Sequence, residues 1–268
     1  MKKIIAPLIS KNIELVNYFK GEDCYIFGNG SSIKFLDLDF FTDKKVIGIN
    51  HILLHKKSKQ LDLACIVLPE SYFFYSYYKN PYTKRIQKNL LGSLFKMKLK
   101  EFPNIRLFTS VTNFFGNSHK LTNYIHHFGF KSANNKKLSI DKEFSFMAGG
   151  LSTAIGVAIN LGFKKAILVG CDYLLDPVNN GHFYTLPVEK KENKRPTKPA
   201  FIDIAKEFIE LELLSPFSSN GIINTVECNQ IFKGHKIKYK ENYEIVEEKD
   251  IKILQKAFEK KDLVNPVK

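Results

Sequence analysis

The residues best suited to chemistry lie in a glycine-rich turn near the start of the chain. An apolar run ends at Phe27 and is followed by GNGSS at residues 28–32. Glycine allows positive φ and close approach of a ligand, and Ser31 and Ser32 suit the N-cap of a helix starting near Ile33. A strand, a glycine turn and a helix N-terminus together form an anion site. The turn lacks the third glycine of a dinucleotide fingerprint and the lysine of a P-loop, so a purely structural turn stays open.

Other polar or small residues stand where further apolar runs end or a helix begins. Asn50 follows the run 45–49, and Asp172 follows the run 165–170. Gly149 and Gly150 precede a helix of small residues, with Ser152 in its first turn. If the apolar runs are parallel strands, their carboxyl ends share one edge of the sheet, where ligands collect in such folds. The residues expected on that edge are Asn29, Asn50, Pro69, Gly149 and Asp172.

The order of the apolar runs predicts the elements that position these residues. The runs alternate with helical segments and lack the alternation of apolar and polar residues that is typical of a sheet with one face exposed to solvent. This pattern predicts an α/β fold with a mostly parallel sheet and helices on both faces. The predicted strands are 23–27, 45–50, 63–68, 105–108, 165–170 and 222–228, and the predicted helices are 13–19, a helix from 33, 154–161 ended by Gly162, 203–214 and 250–258.

Two segments depart from this regular order. Residues 72–100 begin with an aromatic cluster and are predicted to form a helical insert. Residues 186–199 are charged, rich in proline and almost without apolar side chains, so they cannot pack in a core. A linker or disordered loop and a flexible lid carrying Lys and Arg to an anionic ligand both fit this composition. We otherwise predict one domain spanning residues 1–268.

The composition restricts the class of partner. The net charge is +14, and nucleic acid, an anionic membrane surface or an acidic substrate would each suit it. No RNA-binding signature accompanies the lysine clusters, which disfavours nucleic acid. The four cysteines stand singly in apolar runs, so we expect buried thiols. No apolar run reaches the ~18 residues of a membrane span, and Lys11 interrupts the N-terminal one, so we expect a cytoplasmic protein.

Several motifs occur in an order that resembles a known enzyme group. GNGSSI, the strand end GIN at 48–50, AGGLSTAIGVAINLGFKKAILVGCDY at 148–173 and NGHFY at 180–184 follow one another. This arrangement resembles the bacterial sialyltransferases of glycosyltransferase family 42, which modify lipooligosaccharides. It is also similar to wider Rossmann-like proteins with a GNGPSL opening, such as motility accessory factors and the hydroxymethylpterin diphosphokinase-like domain. The likeness spans most of residues 24–172 and thins towards the C-terminus.

The resemblance implies a Rossmann-like fold and roles for particular residues. It implies that Asn29, Gly30 and Ser32 bind the donor nucleotide and that Asn50 faces the donor phosphate and sugar. The nucleotide-contacting turn of the family falls at Gly149 and Gly150, or one residue further on, with Ser152 as the contact. Asp172 matches the family's Gly-x-Asp strand end, and Tyr184 fits a tyrosine that bonds the leaving phosphate. The implied donor is a CMP-sugar used without cofactor or metal. Asp37-Leu38-Asp39 has the spacing of a metal motif, but we interpret it as a solvated acid pair.

The family's general base is a histidine after the NGxxY motif, and residues 186–201 contain none. Transfer to a sugar hydroxyl requires a group of near-neutral pKa to take the proton. The candidates are His182, two residues before Tyr184, then His51 beside Asn50, and Asp172. Each histidine has the alternative of a structural role, and Asp172 would equally suit recognition of ribose.

Three functions therefore remain open from the sequence. The first is a glycosyltransferase that moves a sialic-acid-like sugar from CMP to an anionic surface glycan or glycolipid, in peripheral contact with the inner membrane. The second is a diphosphokinase-like enzyme or a motility-accessory-type transferase. The third is a non-catalytic nucleotide- or nucleic-acid-binding protein. Residues 249–261 form an amphipathic stripe that would dock on the protein's own core or lie on a membrane.

Overall fold

The described part of the chain is organised around one large sheet. The computed structural model describes residues 2–70, 73–75, 84–125, 137–144, 149–178, 181–185, 199–216, 220–232 and 244–258. Its strands are β1 (Asp23–Phe27), β2 (Lys45–Ile49), β3 (Asp62–Leu68), β4 (Leu107–Ser110), β5 (Thr122–Ile125), β6 (Lys165–Val169), β7 (Leu175–Asp176), β8 (Glu210–Ser215), β9 (Asn220–Gly221) and β10 (Thr225–Glu227). Its helices are α1 (Lys2–Ser10), α2 (Arg85–Lys100), α3 (Gly150–Leu161), α4 (Ala200–Ala205), α5 (Cys228–Ile231) and α6 (Glu248–Phe258).

Eight strands form an all-parallel sheet in the order β10-β8-β6-β1-β2-β3-β4-β5. The chain runs outward from β1 to β5 and then returns to β6, on the other side of β1. The strand order therefore reverses between β1 and β6, which makes this the topological switch point of the sheet. The predicted Rossmann-like α/β fold is confirmed. β7 and β9 form a separate antiparallel pair.

Each face of the sheet is covered by its own apolar core. Successive strand side chains point to opposite faces, so Tyr25 and Phe27 join one cluster while Cys24 and Ile26 join the other. Helices α2 and α6 cover the first face, and α3 and α4 cover the second. The prediction of apolar strands buried on both sides is confirmed. All four cysteines are buried and free, as expected.

Several predicted elements agree with the observed ones. The strands predicted at 23–27, 45–50, 63–68 and 165–170 correspond to β1, β2, β3 and β6, and Gly162 caps α3 with a φ of +87°. The strand predicted at 105–108 corresponds to β4, which begins two residues later. The helix predicted at 250–258 corresponds to α6. Ile251, Leu254 and Ala257 of α6 are buried in the protein's own core, and Lys98 Nζ on α2 lies 2.6 Å from Asp250 Oδ2. The membrane-facing alternative for this stripe is wrong.

Other predictions are corrected. The helix expected from Ile33 is a five-residue 3₁₀ turn, Ser31–Phe35, without a side-chain N-cap, because Ser31 and Ser32 bind a distant carboxylate. The helix expected at 13–19 is a shorter 3₁₀ turn, Lys11–Leu15, and the one expected at 203–214 is α4 followed by β8. Leu211, Leu213 and Leu214 are buried in β8, where pairing with β6 overrides the helical spacing.

The strand expected at 222–228 is also shorter than predicted. It is observed as β10, and Cys228 already begins α5. Within the predicted insert at 72–100, α2 is the crossover helix between β3 and β4, and Leu91, Leu94 and Phe95 bury its apolar side. The predicted lid at 186–199 lies outside the described residues except for Pro199. Among the helices that the structure describes, none is long and apolar enough to cross a membrane.

Candidate functional site

A cavity of about 370 Å³ opens at the switch point of the sheet. Its walls are the turns after β1, β2 and β6, the first turn of α3, and the segment that contains His182. This position agrees with the rule that ligands of open parallel sheets bind at the carboxyl ends where the strand order reverses. The lining residues are Gly28, Asn29, Gly30, Ile49, Asn50, Gly149, Gly150, Leu151, Ser152, Gly170, Cys171, Asp172, Tyr173, Gly181 and His182.

The turns after β1 and β6 touch through their backbones. The amide of Gly28 donates to Val169 O at 2.7 Å, and the amide of Gly30 donates to Gly170 O at 2.7 Å. A Cβ atom on Gly28 would lie 2.5 Å from Gly170 O, and one on Gly30 would lie 2.5 Å from Asp172 Cγ. Both glycines are therefore required by the space between the two turns, whatever the ligand.

Asp172 fastens the glycine turn to β6. Its side chain accepts hydrogen bonds from Ser31 Oγ at 3.1 Å, from the Ser32 amide at 2.7 Å, and from the Ser32 hydroxyl. Burial raises the pKa of the Asp172 carboxyl, and these bonds from Ser32 and Ser31 oppose the rise. Because both carboxylate oxygens accept bonds from the turn, the geometry gives Asp172 a positioning role and does not favour it as the base. Ser32 is buried behind the turn and does not line the cavity.

The N-terminus of α3 supplies the polar end of the cavity. Gly149 precedes the helix with a φ of +140°, and its carbonyl accepts bonds from Ser152 Oγ at 3.0 Å and Thr153 Oγ1 at 2.8 Å. The next three residues, 150–152, line the cavity. The first amides of an α-helix have no partner within the helix, and the dipole favours an anion there. The first turn contains no acidic residue, so this end of the site can receive a phosphate.

Two of the residues that line the cavity are asparagines whose side-chain oxygens are unpaired within the described part of the chain. Oδ1 of Asn29 and Oδ1 of Asn50 are buried and have no hydrogen-bond partner among the described residues. Asn50 directly follows β2, is 9% exposed and has a φ of +46°. Its Nδ2 donates to Glu70 Oε1 at 3.0 Å. Burial raises the pKa of Glu70 to about 7, although the bond from Asn50 opposes this.

Glu70 was not recognised from the sequence. It lies two residues beyond the end of β3, beside Pro69, which was expected on the ligand edge. The available signal was a lone acid just after a buried parallel strand, where charged groups approach the site. A sequence pattern does not show that this acid reaches Asn50 on the neighbouring strand.

The two candidate histidines occupy different layers. His182 is exposed and lines the cavity, and its ring stacks on Tyr184 with centroids 5.0 Å apart. His51 is 8% exposed, lies behind the cavity lining and contacts Tyr184 and Phe95 at centroid distances of 4.9 and 5.4 Å. Burial lowers the pKa of His51 to about 3, helped by the nearby His182. His51 is therefore neutral at physiological pH, and it does not line the cavity.

Tyr184 is 2% exposed, contacts both imidazole rings, whose centroids lie 6.4 Å from each other, and does not line the cavity. Its role as a direct phosphate ligand thus remains a prediction. Main-chain contacts attach its segment to the glycine turn, because the amide of Phe183 donates to Asn29 O at 3.0 Å and Gly30 pairs with His182.

The cavity joins eight of the predicted residues: Asn29, Gly30, Asn50, Gly149, Gly150, Ser152, Asp172 and His182. It leaves Ser32, His51 and Tyr184 in the next layer.

The acid pair Asp37 and Asp39 is engaged by a cation of the protein. Lys57 Nζ lies 2.6 Å from Asp37 Oδ1 and 2.6 Å from Asp39 Oδ2. These exposed ion pairs raise the pKa of Lys57. The two carboxylates therefore form a lysine-bridged surface cluster, close to the interpretation as a solvated acid pair.

Comparison with models of known protein families gave no match, and comparison with curated protein sequences gave none either. The case for function therefore depends on the geometry of the cavity and on the motifs that line it.

We predict that Asp172→Ala lowers the free energy of unfolding by about 1–3 kcal/mol, since the buried Ser32 amide and hydroxyl lose their acceptor. Asp172→Asn keeps one acceptor oxygen and should lose less. Urea denaturation measures both.

A double-mutant cycle with Ser32→Ala separates this contact from general effects of the substitution. The combined variant should lose clearly less stability than the two single variants added together. Strict additivity would contradict the role of Asp172 in fastening the turn.

Proposed function

We propose that this protein is a glycosyltransferase that moves a sialic-acid-like, nonulosonic sugar from a CMP donor to a bacterial surface glycan. The observation that carries the proposal is the convergence of the ends of β1, β2 and β6 with the first turn of α3 around one cavity at the switch point. Its volume falls in the usual range for small-molecule sites. The resemblance of the motif order to that of family 42 sialyltransferases supports the choice of a CMP-sugar over other nucleotides.

The first turn of α3 is the proposed phosphate site. When the bond between the sugar and the CMP phosphate breaks, the bonding electrons stay with the phosphate oxygen, and its negative charge grows. Amides fixed at a helix N-terminus stabilise such developing charge without reorganising. Glycines at 149 and 150 leave this backbone open to the ligand. Neutral donors of this kind are sufficient for a metal-independent transfer, which is how the proposed reaction proceeds.

His182 is the proposed general base. It would take the proton from the acceptor hydroxyl as that oxygen forms a bond to the anomeric carbon of the donor sugar. Imidazole has a suitable pKa for this step near neutral pH. His182 lines the cavity, whereas His51 is withdrawn with its pKa lowered to about 3, and Asp172 already accepts bonds from Ser31 and Ser32. Stacking on Tyr184 fixes the plane of the His182 ring.

The proposed acceptor is an anionic glycan or glycolipid at the cytoplasmic face of the inner membrane. Support comes from the net charge of +14, since a basic protein is attracted both to acidic substrates and to an anionic leaflet. Peripheral contact of this kind needs no membrane-spanning segment. We propose no nucleic-acid partner.

We predict that CMP raises the melting temperature and that UDP, GDP and ATP with Mg²⁺ do so less, because a ligand of the native state stabilises it by mass action.

Asn29→Ala should weaken CMP binding by about 1–3 kcal/mol in calorimetry. Asn224→Ala is the matched control, since Asn224 bonds Glu212 outside the cavity.

Other results would favour the alternatives. Stabilisation by ATP with Mg²⁺ alone would indicate a diphosphokinase-like enzyme. Binding to random DNA with a steep salt dependence, and to none of the nucleotides, would indicate a nucleic-acid-binding protein. Equal CMP affinities of Asn29→Ala and the unmodified protein would remove the glycine turn from the binding site.

We predict that His182→Ala lowers transfer of the sugar by roughly 10²–10⁴-fold, the usual contribution of a general base, while CMP affinity stays within a few-fold. Product formation from a CMP-sugar and a glycan acceptor measures the rate of transfer, and calorimetry measures the CMP affinity. His51→Phe is the comparison variant, since it keeps the aromatic contacts and should retain transfer. Unchanged turnover of His182→Ala would remove this residue from the mechanism.

A further inference from the structure

A buried carboxylate stands directly behind one of the cavity asparagines. β2 and β3 are parallel neighbours, with Ile49 opposite Val67, so their carboxyl ends lie side by side. Asn50 follows the first strand and Glu70 follows the second. This adjacency allows Asn50 Nδ2 to donate to Glu70 Oε1 at 3.0 Å.

Glu70 is itself held in place by the next strand. Its carbonyl oxygen accepts a bond from Asn113 Nδ2 at 2.9 Å. Asn113 is fully buried after β4, and its Nδ2 also donates to Thr109 Oγ1 at 2.8 Å. Its Oδ1 accepts the amide of Phe74 at 3.0 Å. The main chain of Glu70 is thus fixed to the body of the sheet through side chains that do not line the cavity.

The contact with Glu70 decides which atom Asn50 offers to a ligand. Asn50 Nδ2 donates to Glu70 Oε1, and the ionised form of Glu70 only accepts hydrogen bonds, so it holds the NH₂ group of the Asn50 amide towards itself. Asn50 lines the cavity, and its Oδ1 is buried with no hydrogen-bond partner in the part of the chain that the structure describes. A buried acceptor without a partner destabilises a site until a donor forms a hydrogen bond with that acceptor. The unpaired hydrogen-bonding group of Asn50 is therefore an acceptor.

A phosphate does not fit this position, whereas a hydroxyl does. Phosphate oxygens are acceptors and carry negative charge, so they would face both Asn50 Oδ1 and the acid behind it. Sugar hydroxyls can donate. In dinucleotide-binding folds an acidic side chain about 20 residues after the glycine turn, at the end of the second strand, accepts from a ribose hydroxyl. Asn50 stands about 20 residues after Gly30, at the end of β2.

We propose that Glu70 is a positioning residue that holds the Asn50 amide with Oδ1 towards the cavity, so that this part of the site selects a ribose hydroxyl. The inference depends on the proposed function only in that the ligand is a nucleotide. It amends the role that the family resemblance implies for Asn50, which then binds sugar and leaves the phosphate to α3. Glu70 acts through Asn50 and does not touch the ligand.

The test compares CMP with 2′,3′-dideoxy-CMP, which lacks both ribose hydroxyls, by titration calorimetry on the full chain. The unmodified protein should bind CMP roughly 5- to 100-fold more tightly, the ratio for an unpaired buried acceptor. Asn50→Ala should bring this ratio close to one. Glu70→Leu should also reduce it, because the released amide can present NH₂ to the cavity. Glu70→Gln can still accept from Asn50 Nδ2 through its Oε1 and should largely restore the preference.

Glu212→Leu is the matched control. Glu212 Oε1 accepts from Asn224 Nδ2 at 3.1 Å, the same kind of pair at a distance from the cavity, so this variant should keep the CMP preference. A purely structural effect of Glu70 would weaken both nucleotides equally and leave their ratio unchanged. Should Glu70→Leu not fold by circular dichroism, Asn50→Ala and Glu70→Gln still provide the comparison.

The outcomes separate this inference from the proposed function. CMP binding with no preference for the ribose hydroxyls, or a preference that survives in Glu70→Leu, would overturn the role of Glu70 while the nucleotide site stands. If another ribonucleotide binds in place of CMP, its own dideoxy form is the comparison, and a preserved preference supports the role of Glu70 although the CMP-sugar donor is wrong. Failure to bind any nucleotide would overturn both.

Discussion

The site depends on how closely the backbone after β1 approaches the backbone after β6. The amide of Gly30 bonds Gly170 O at 2.7 Å, and there is no space for a Cβ atom on Gly28 or Gly30. Asp172 completes the contact by accepting the amide of Ser32. This contact joins the turns after β1 and β6, the two neighbouring strands between which the strand order reverses. The ends of β1, β2 and β6 and the start of α3 then enclose a common cavity.

Polar groups around the cavity fall into two layers with different tasks. The inner layer contains the start of α3, the side chains of Asn29 and Asn50, and the ring of His182. The acids hold these groups in place: Glu70 lies behind Asn50 and accepts its amide, while Asp172, which also lines the cavity, anchors the glycine turn. The hydrogen bonds from Ser31 and Ser32 to both oxygens of Asp172 offset the negative charge that it would otherwise present to an anionic donor. This division suits a reaction whose leaving group is a phosphate.

The sequence predicted the sheet well because buried parallel strands are short apolar runs, and β1, β2, β3 and β6 could be recognised without tertiary information. It also predicted most of the cavity lining, since the carboxyl ends of such strands share one edge. Helix and strand remain ambiguous in short apolar segments, and for this reason the helix predicted at 203–214 includes residues 210–214, which belong to β8.

The remaining errors have tertiary causes. Ser31 and Ser32 look like N-cap residues, yet their side chains bind Asp172, about 140 residues further along the chain. His51 and Asn50 are adjacent in sequence, but the turn after β2 sends one into the core and the other to the cavity. The pairing of Glu70 with Asn50 arises from the parallel register of β2 and β3, which a single sequence does not specify.

The most direct test of the central claim is a crystal structure of the protein with CMP. The account predicts that the nucleotide lies at the switch point, with its phosphate within hydrogen-bonding distance of the amides at residues 150 and 151 and a ribose hydroxyl within that distance of Asn50 Oδ1. A cavity filled by the protein's own side chains, with CMP absent or bound elsewhere, would contradict it.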